Sequence, residues 1–108
     1  MNKVYVAQSP IHGQGLFAAD LIAQGDYIGF YQGNKTMDND VYVLWVKQGE
    51  DEKGEDIWLG YNGTGELRFL NHSPQPNCEF DGQELYSVDH IAAGDELTFD
   101  YGEWFEAG

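Results

Sequence analysis

Four short segments of this 108-residue chain carry the residue types that do chemistry. In His12-Gly13-Gln14-Gly15-Leu16-Phe17, two glycines one residue apart let backbone approach a ligand closely and turn its polar groups toward it. A plain tight turn reads the same way. In Arg68-Phe69-Leu70-Asn71-His72-Ser73-Pro74-Gln75-Pro76-Asn77-Cys78, two asparagines, a histidine and a serine crowd around two prolines beside apolar Phe69 and Leu70. Such a string predicts neither regular strand nor helix but a buried, hydrogen-bonded loop. In it His72 reads equally as a satisfied internal donor or as part of a ligand site. The remaining two segments, Gly29-Phe30-Tyr31-Gln32-Gly33 and Gly94-Asp95-Glu96-Leu97-Thr98-Phe99-Asp100-Tyr101-Gly102, are strand ends that present a tyrosine close to glycine. Taken singly, each tyrosine is as much a packing residue as a reactive one.

The elements that must position these segments are mainly β. Fourteen glycines punctuate short runs rich in β-branched and aromatic residues, with no long helical periodicity. Strands are expected over residues 4–7, 15–18, 27–31, 41–47, 56–59, 78–80, 84–88 and 96–99. Asp81-Gly82 is a hairpin signal, because glycine accepts the positive φ of a tight turn. A helical turn fits residues 18–24 and would stop at Gly25. The acidic run 48–56 reads as a solvated hairpin tip, since its spacing lacks the alternating pattern of a calcium loop. One internal echo stands out: Asp20, Ile22, Ala23, Gly25, Asp26 and Phe30 reappear as Asp89, Ile91, Ala92, Gly94, Asp95 and Phe99. Both copies read as loop, Gly-Asp turn, then strand.

Composition narrows the class of partner. A chain of this length is expected to be one domain, 1–108, and its 42% hydrophobic content supports an ordered core. The net charge of -14, from 19 acidic against 5 basic residues, repels phosphate backbones and attracts cations. Nucleic acid is therefore disfavoured as a direct partner. The single cysteine, Cys78, permits no intramolecular disulfide and no multi-cysteine zinc cluster, so no metal site is expected and a reducing compartment fits. No apolar run approaches the roughly 20 residues of a membrane span, and the first residues lack a signal-peptide core, which makes cytoplasmic the default expectation.

Taken together and in order, the four segments resemble the SET-domain family of protein lysine methyltransferases, over nearly the whole chain. His12-Gly13-Gln14-Gly15-Leu16-Phe17 is similar to the family's Gly-x-Gly cofactor motif. Phe30-Tyr31-Gln32-Gly33 is similar to the strand that follows it. Arg68-Phe69-Leu70-Asn71-His72-Ser73 with Pro76-Asn77 resembles the Arg-Phe-x-Asn-His-Ser signature, and Gly94 to Tyr101 the C-terminal signature with its catalytic tyrosine. The resemblance implies a SET-domain (β-clip) fold of short strands and small sheets with a C-terminal pseudoknot that brings Asn71-His72 beside Tyr101. It implies S-adenosylmethionine as cofactor, bound by Gly13, Gln14, Gly15, Asn71 and His72, and a lysine channel lined by Tyr31, Phe80, Phe99 and Tyr101, with Tyr101 and Tyr31 as the catalytic pair. Trp104 reads equally as a face for the adenine or a plug for the core. The family's cysteine after Asn-His-Ser is replaced by Pro74, and its zinc module has no counterpart here. Some members this small are dimers, so a homodimer is one way to close the channel.

The implied reaction is transfer of a methyl group to the lysines of a basic, histone-like or ribosomal protein, which would place the chain in the cytoplasm or, through its substrate, at the nucleus or nucleoid. Its rivals are a non-catalytic SET-like module that holds cofactor or basic peptides, an acidic β-rich interaction protein, and an enzyme for a small amine.

Overall fold

The computed structural model describes residues 3–38 and 42–101. Ten strands and one 3-10 turn follow in order: β1 (Val4–Gln8), β2 (Gln14–Ala18), β3 (Tyr27–Phe30), β4 (Gly33–Thr36), β5 (Val43–Glu50), β6 (Asp56–Gly63), the turn Glu66–Phe69, β7 (Asn71–His72), β8 (Cys78–Asp81), β9 (Glu84–Ser87) and β10 (Glu96–Phe99). They form three small sheets, ordered β1-β2-β10-β7, β3-β9-β8 and β4-β6-β5. All pairings are antiparallel except β7 with β10, which run parallel with Thr98 beside Asn71 and Phe99 beside His72. No helix among the described residues is long and apolar enough to cross a membrane.

The echo in the sequence is the frame of the fold. Ile22 and Ile91 form a bridge, each accepting the other's N–H at 2.8–2.9 Å. Gly25 and Gly94 adopt φ of 87° and 88°, a conformation open to glycine, and Asp26 and Asp95 each donate back to the alanine three residues earlier at 3.0 Å. The turns then cross over. Gly94 donates to Ala18 O and Gly25 to Ser87 O, so each copy's turn is pinned to the strand that precedes the other copy. The strands that follow cross too: β10 leaves the second copy and pairs with β2, while β3 leaves the first and pairs with β9. The likeness runs further upstream than the turn residues suggest, because Gly13, Gln14 and Leu16 match Gly82, Gln83 and Leu85 at the same spacing.

This crossing places the core. Leu16, Leu85, Ile22, Ile91, Leu97 and Cys78 are fully buried, and four of these six are the paired apolar positions of the two copies. Burying an aliphatic side chain stabilises by roughly 1.5–3 kcal/mol, so the repeated pattern supplies the central packing.

Several elements differ from the sequence expectation. Residues 18–24 form no helical turn: the Ile22 bridge holds them extended. Tyr31 lies one residue beyond β3, and β9 ends at Ser87 rather than Val88. The Arg68 to Cys78 segment is more regular than its prolines suggest, since Arg68 and Phe69 belong to the 3-10 turn and Asn71–His72 are a strand borrowed into the sheet by β10. Strand β4, polar and only four residues long, has no local signal and exists because β6 offers it a ladder. Val41 lies outside the described residues. The acidic run is the tip between β5 and β6, where Asp51 Oδ1 accepts from the N–H of Lys53 and Glu55.

Candidate functional site

The site assembles where β10 enters between β2 and β7. Its first part is a row of aromatic rings in edge-on or tilted contact. Tyr31 meets Phe80 with centroids 5.7 Å apart, Phe80 meets Phe99 at 5.0 Å, Phe99 meets Tyr101 at 4.7 Å, and Tyr101 meets the His72 ring at 5.2 Å. All four residues expected to line a channel therefore stand in one continuous row, drawn from β8, β10 and the segments just beyond β3 and β10.

The two tyrosines stand differently within it. Tyr31 is 4% exposed, its hydroxyl donates to Tyr42 O, and its backbone is held by Gln83, which accepts from Tyr31 N at 2.7 Å and donates to Tyr31 O at 3.0 Å. Desolvation, with Tyr101 nearby as a smaller cause, pushes its phenol up to about 12. Tyr101 remains 37% exposed, while its hydroxyl is turned inward to donate to Leu70 O at 2.7 Å. Burial of that hydroxyl raises its pKa above the ordinary value of 10.0. Both phenols are thus protonated at neutral pH. Tyr101 N donates to His72 Nδ1 at 3.0 Å, and Asp100 Oδ1 lies 3.7 Å from the same nitrogen.

The second part of the site is the glycine turn. Gly13 takes φ of +46° with nothing within 4 Å of where a Cβ would stand. Asn71, 7% exposed, donates through Nδ2 to His12 O at 3.1 Å, Gln14 O at 3.2 Å and a Glu96 carboxylate oxygen at 2.8 Å. Its side chain therefore ties the turn to β7 and β10, and the β7 backbone that faces away from β10 is that of His72. Gly13, Gln14, Gly15, Asn71 and His72 are brought together. Trp104 lies outside the described residues.

Three residues to which sequence reasoning assigned no role of their own hold this arrangement. Asn77 Nδ2 donates to Glu96 O at 2.9 Å, and its Oδ1 accepts from Thr98 N at 2.8 Å, which clamps β10 into place. Ser9 donates to both oxygens of Glu96, at 2.7 and 2.8 Å. Glu96 is the third, and Gly15 was its signal: a glycine inside a strand marks a place where another group comes close. Arg68 donates to Thr64 O and Gly65 O and lies 4.2 Å over the Phe69 ring, so this signature arginine braces the chain before β7. A cavity of about 370 Å³ lies elsewhere, between β3 and the 3-10 turn. Val4, Ile28, Phe30, Gln32, Glu66 and Leu67 are among the residues that line it, and no member of the aromatic row or of the glycine turn reaches it.

Comparison with known proteins agrees with this geometry. Residues 13–102 match the SET domain. Histone-lysine N-methyltransferase MEDEA of Arabidopsis thaliana is 29% identical over 119 residues, covering 93% of this chain and 17% of that protein. Human histone-lysine N-methyltransferase 2B is 30% identical over 119 residues, covering 93% of this chain and 4% of its own length. The chain thus spans a small part of these relatives. Among solved structures, the polycomb repressive complex 2 of Chaetomium thermophilum superposes with a TM-score of 0.75 at 24% identity, over 98% of this chain and 16% of that one. At these identities the structural likeness speaks for the fold.

Proposed function

Because the chain belongs to the SET-domain family, we propose that it is a protein lysine methyltransferase that uses S-adenosylmethionine and acts on a basic, lysine-rich protein. The observation that carries this reading is the row Tyr31, Phe80, Phe99, Tyr101 running up to His72 and the glycine turn.

The residues fit such a cofactor. The His72 backbone, on the side of β7 away from β10, carries a donor and an acceptor of the kind that read a purine, and the space beside Gly13 admits close approach. Gly13, Gln14, Asn71 and His72 would hold it. The cofactor supplies a methyl group on a cationic sulfur. Everything else is positioning, and alignment of the two reactants can supply roughly 7–11 kcal/mol of barrier reduction. Lysine is protonated at neutral pH, and the apolar walls of Phe80 and Phe99 favour its neutral, nucleophilic amine. The Tyr101 hydroxyl donates its proton to Leu70 O, which leaves its oxygen to act as an acceptor. With its pKa raised, it acts as an orienting acceptor rather than as a base.

The charge of -14 favours basic substrates and fits no nucleic-acid role. Incubation with labelled cofactor and a lysine-rich protein tests the reading. Label on lysine is expected, with slower capture as salt shortens the Debye length below about 8 Å. Failure of saturating cofactor both to raise the melting temperature and to label any lysine would contradict it.

A further inference from the structure

Glu96 stands at the centre of the site yet belongs to none of the roles assigned above. Its carboxylate accepts from Ser9 Oγ through both oxygens and from Asn71 Nδ2, while Ser9 Oγ in turn accepts from Ile11 N at 3.0 Å. The same Asn71 amide reaches His12 O and Gln14 O. One carboxylate therefore links β10, the end of β1, β7 and both flanks of Gly13. The ion pairs that Lys47 makes with Glu50 and Asp56 do not include it. Its anchoring rests on hydrogen bonds to an ionised acceptor, the stronger class of such bonds.

Gly15 completes the arrangement. Unlike Gly13 its φ is not positive, so backbone conformation alone does not demand glycine. A Cβ at this position would stand 2.3 Å from Glu96 Oε2 and 3.0 Å from the Ser9 Cβ. The missing side chain is the notch in which the carboxylate sits.

On the cofactor-binding reading given above, we propose that Glu96 is a positioning residue that locks the cofactor-binding turn, and that Gly15 is glycine to admit the Glu96 carboxylate rather than the ligand. The lock acts through Asn71 on the carbonyls of His12 and Gln14, so its loss loosens the turn before any ligand arrives.

The test uses wild type, Glu96→Ala, Gly15→Ala and the double variant, each titrated calorimetrically with S-adenosylmethionine. Glu96→Ala weakens binding about tenfold or more while still melting cooperatively, as expected for lost bonds to a charged group. Gly15→Ala weakens binding as well, but the double variant binds little more weakly than Glu96→Ala alone, because the 2.3 Å clash with the carboxylate is gone and only the 3.0 Å approach of the Ser9 Cβ remains. Additive losses in the double variant would overturn the notch assignment, and wild-type affinity in Glu96→Ala would overturn the lock. Amide hydrogen exchange without ligand separates these failures from failure of the enzymatic reading. If wild type binds no cofactor, the functional reading fails, yet exchange over residues 11–15 still accelerates in Glu96→Ala if the lock exists, and unchanged exchange refutes it.

Discussion

The two copies of the Asp-x-Ile-Ala-x-Gly-Asp turn close with the same hydrogen bonds and the same glycine φ, yet the strand crossings beside them differ. Where β3 meets β9, Glu84 on the inner strand stands by the Tyr27 hydroxyl and is the chief cause that raises the pKa of that phenol. Where β10 meets β2, the corresponding positions are Gly15 and Glu96. The carboxylate has changed strand. On one side it meets an aromatic side chain and leaves Glu84 Oε2 buried without a partner; on the other it reaches across a bare glycine to Ser9 and Asn71 and organises a turn. The strands differ likewise. Leu97 and Thr98 of β10 are buried, whereas β3 carries a bulge between Tyr27 and Gly29 and leaves Phe30 46% exposed. A shared scaffold thus supplies stability twice and a site once, and the difference lies in which residues surround the crossing.

The largest expected effect falls on the tyrosines that follow the two strands. Tyr101→Phe keeps the ring and removes an oriented hydroxyl, so kcat should drop by about 100- to 1,000-fold with the fold intact. Tyr31→Phe removes a buried bond to Tyr42 O and should instead cost about 1 kcal/mol of stability with a modest change in rate. Equal loss of kcat in the two variants would erase the distinction between the copies.

Next in size is the core they share. Ile22→Ala and Ile91→Ala should each lose roughly 2–5 kcal/mol in urea unfolding, because both side chains are 1% exposed at the same bridge. A strongly unequal pair would show that one copy carries the fold.

Alkaline pH gives a smaller effect. Burial pushes the Tyr31 phenol and the Cys78 thiol each up to about 12, above their ordinary values of 10.0 and 9.0. The folded state therefore holds these protons more tightly. Their contribution is complete below about pH 9 and is lost as pH rises toward 12, by an amount on the order of a few kcal/mol. Tyr31→Phe should flatten that decline, and a decline of unchanged steepness would assign it elsewhere.

The smallest effect is on product rather than rate or stability. Phe80 and Phe99 carry no hydroxyl, so neither of these two positions anchors the amine or a water in the space of a further methyl. Di- or trimethyl-lysine is expected, and Phe80→Tyr or Phe99→Tyr should shift the product toward monomethyl-lysine by mass spectrometry. Exclusive monomethylation by wild type would place the width control outside this row.

What could be read in the sequence follows from the range of each signal. The Gly-Asp turns, the Asp81-Gly82 hairpin and the alternating strands are local and were legible. The aromatic row was legible because Tyr31, Phe99 and Tyr101 sit in ordered motifs that resemble a family, and the same resemblance implied Phe80. Strand β7 was not, since two residues between a 3-10 turn and prolines become a strand only when β10 arrives from 25 positions further along. Glu96 and Ser9 were hidden for the same reason: their meeting is a property of the crossing, and only the glycine between them hinted at it.

The account rests on Tyr101 orienting methyl transfer to a lysine amine, and one comparison reaches it directly. Wild type and Tyr101→Phe are incubated with labelled S-adenosylmethionine and a lysine-rich protein at matched cofactor occupancy, and modified residues are located by mass spectrometry. The account predicts methyl-lysine with wild type and about 100-fold less or lower with Tyr101→Phe. Equal labelling by the two proteins, or no methyl-lysine with a wild type that binds cofactor, would contradict it.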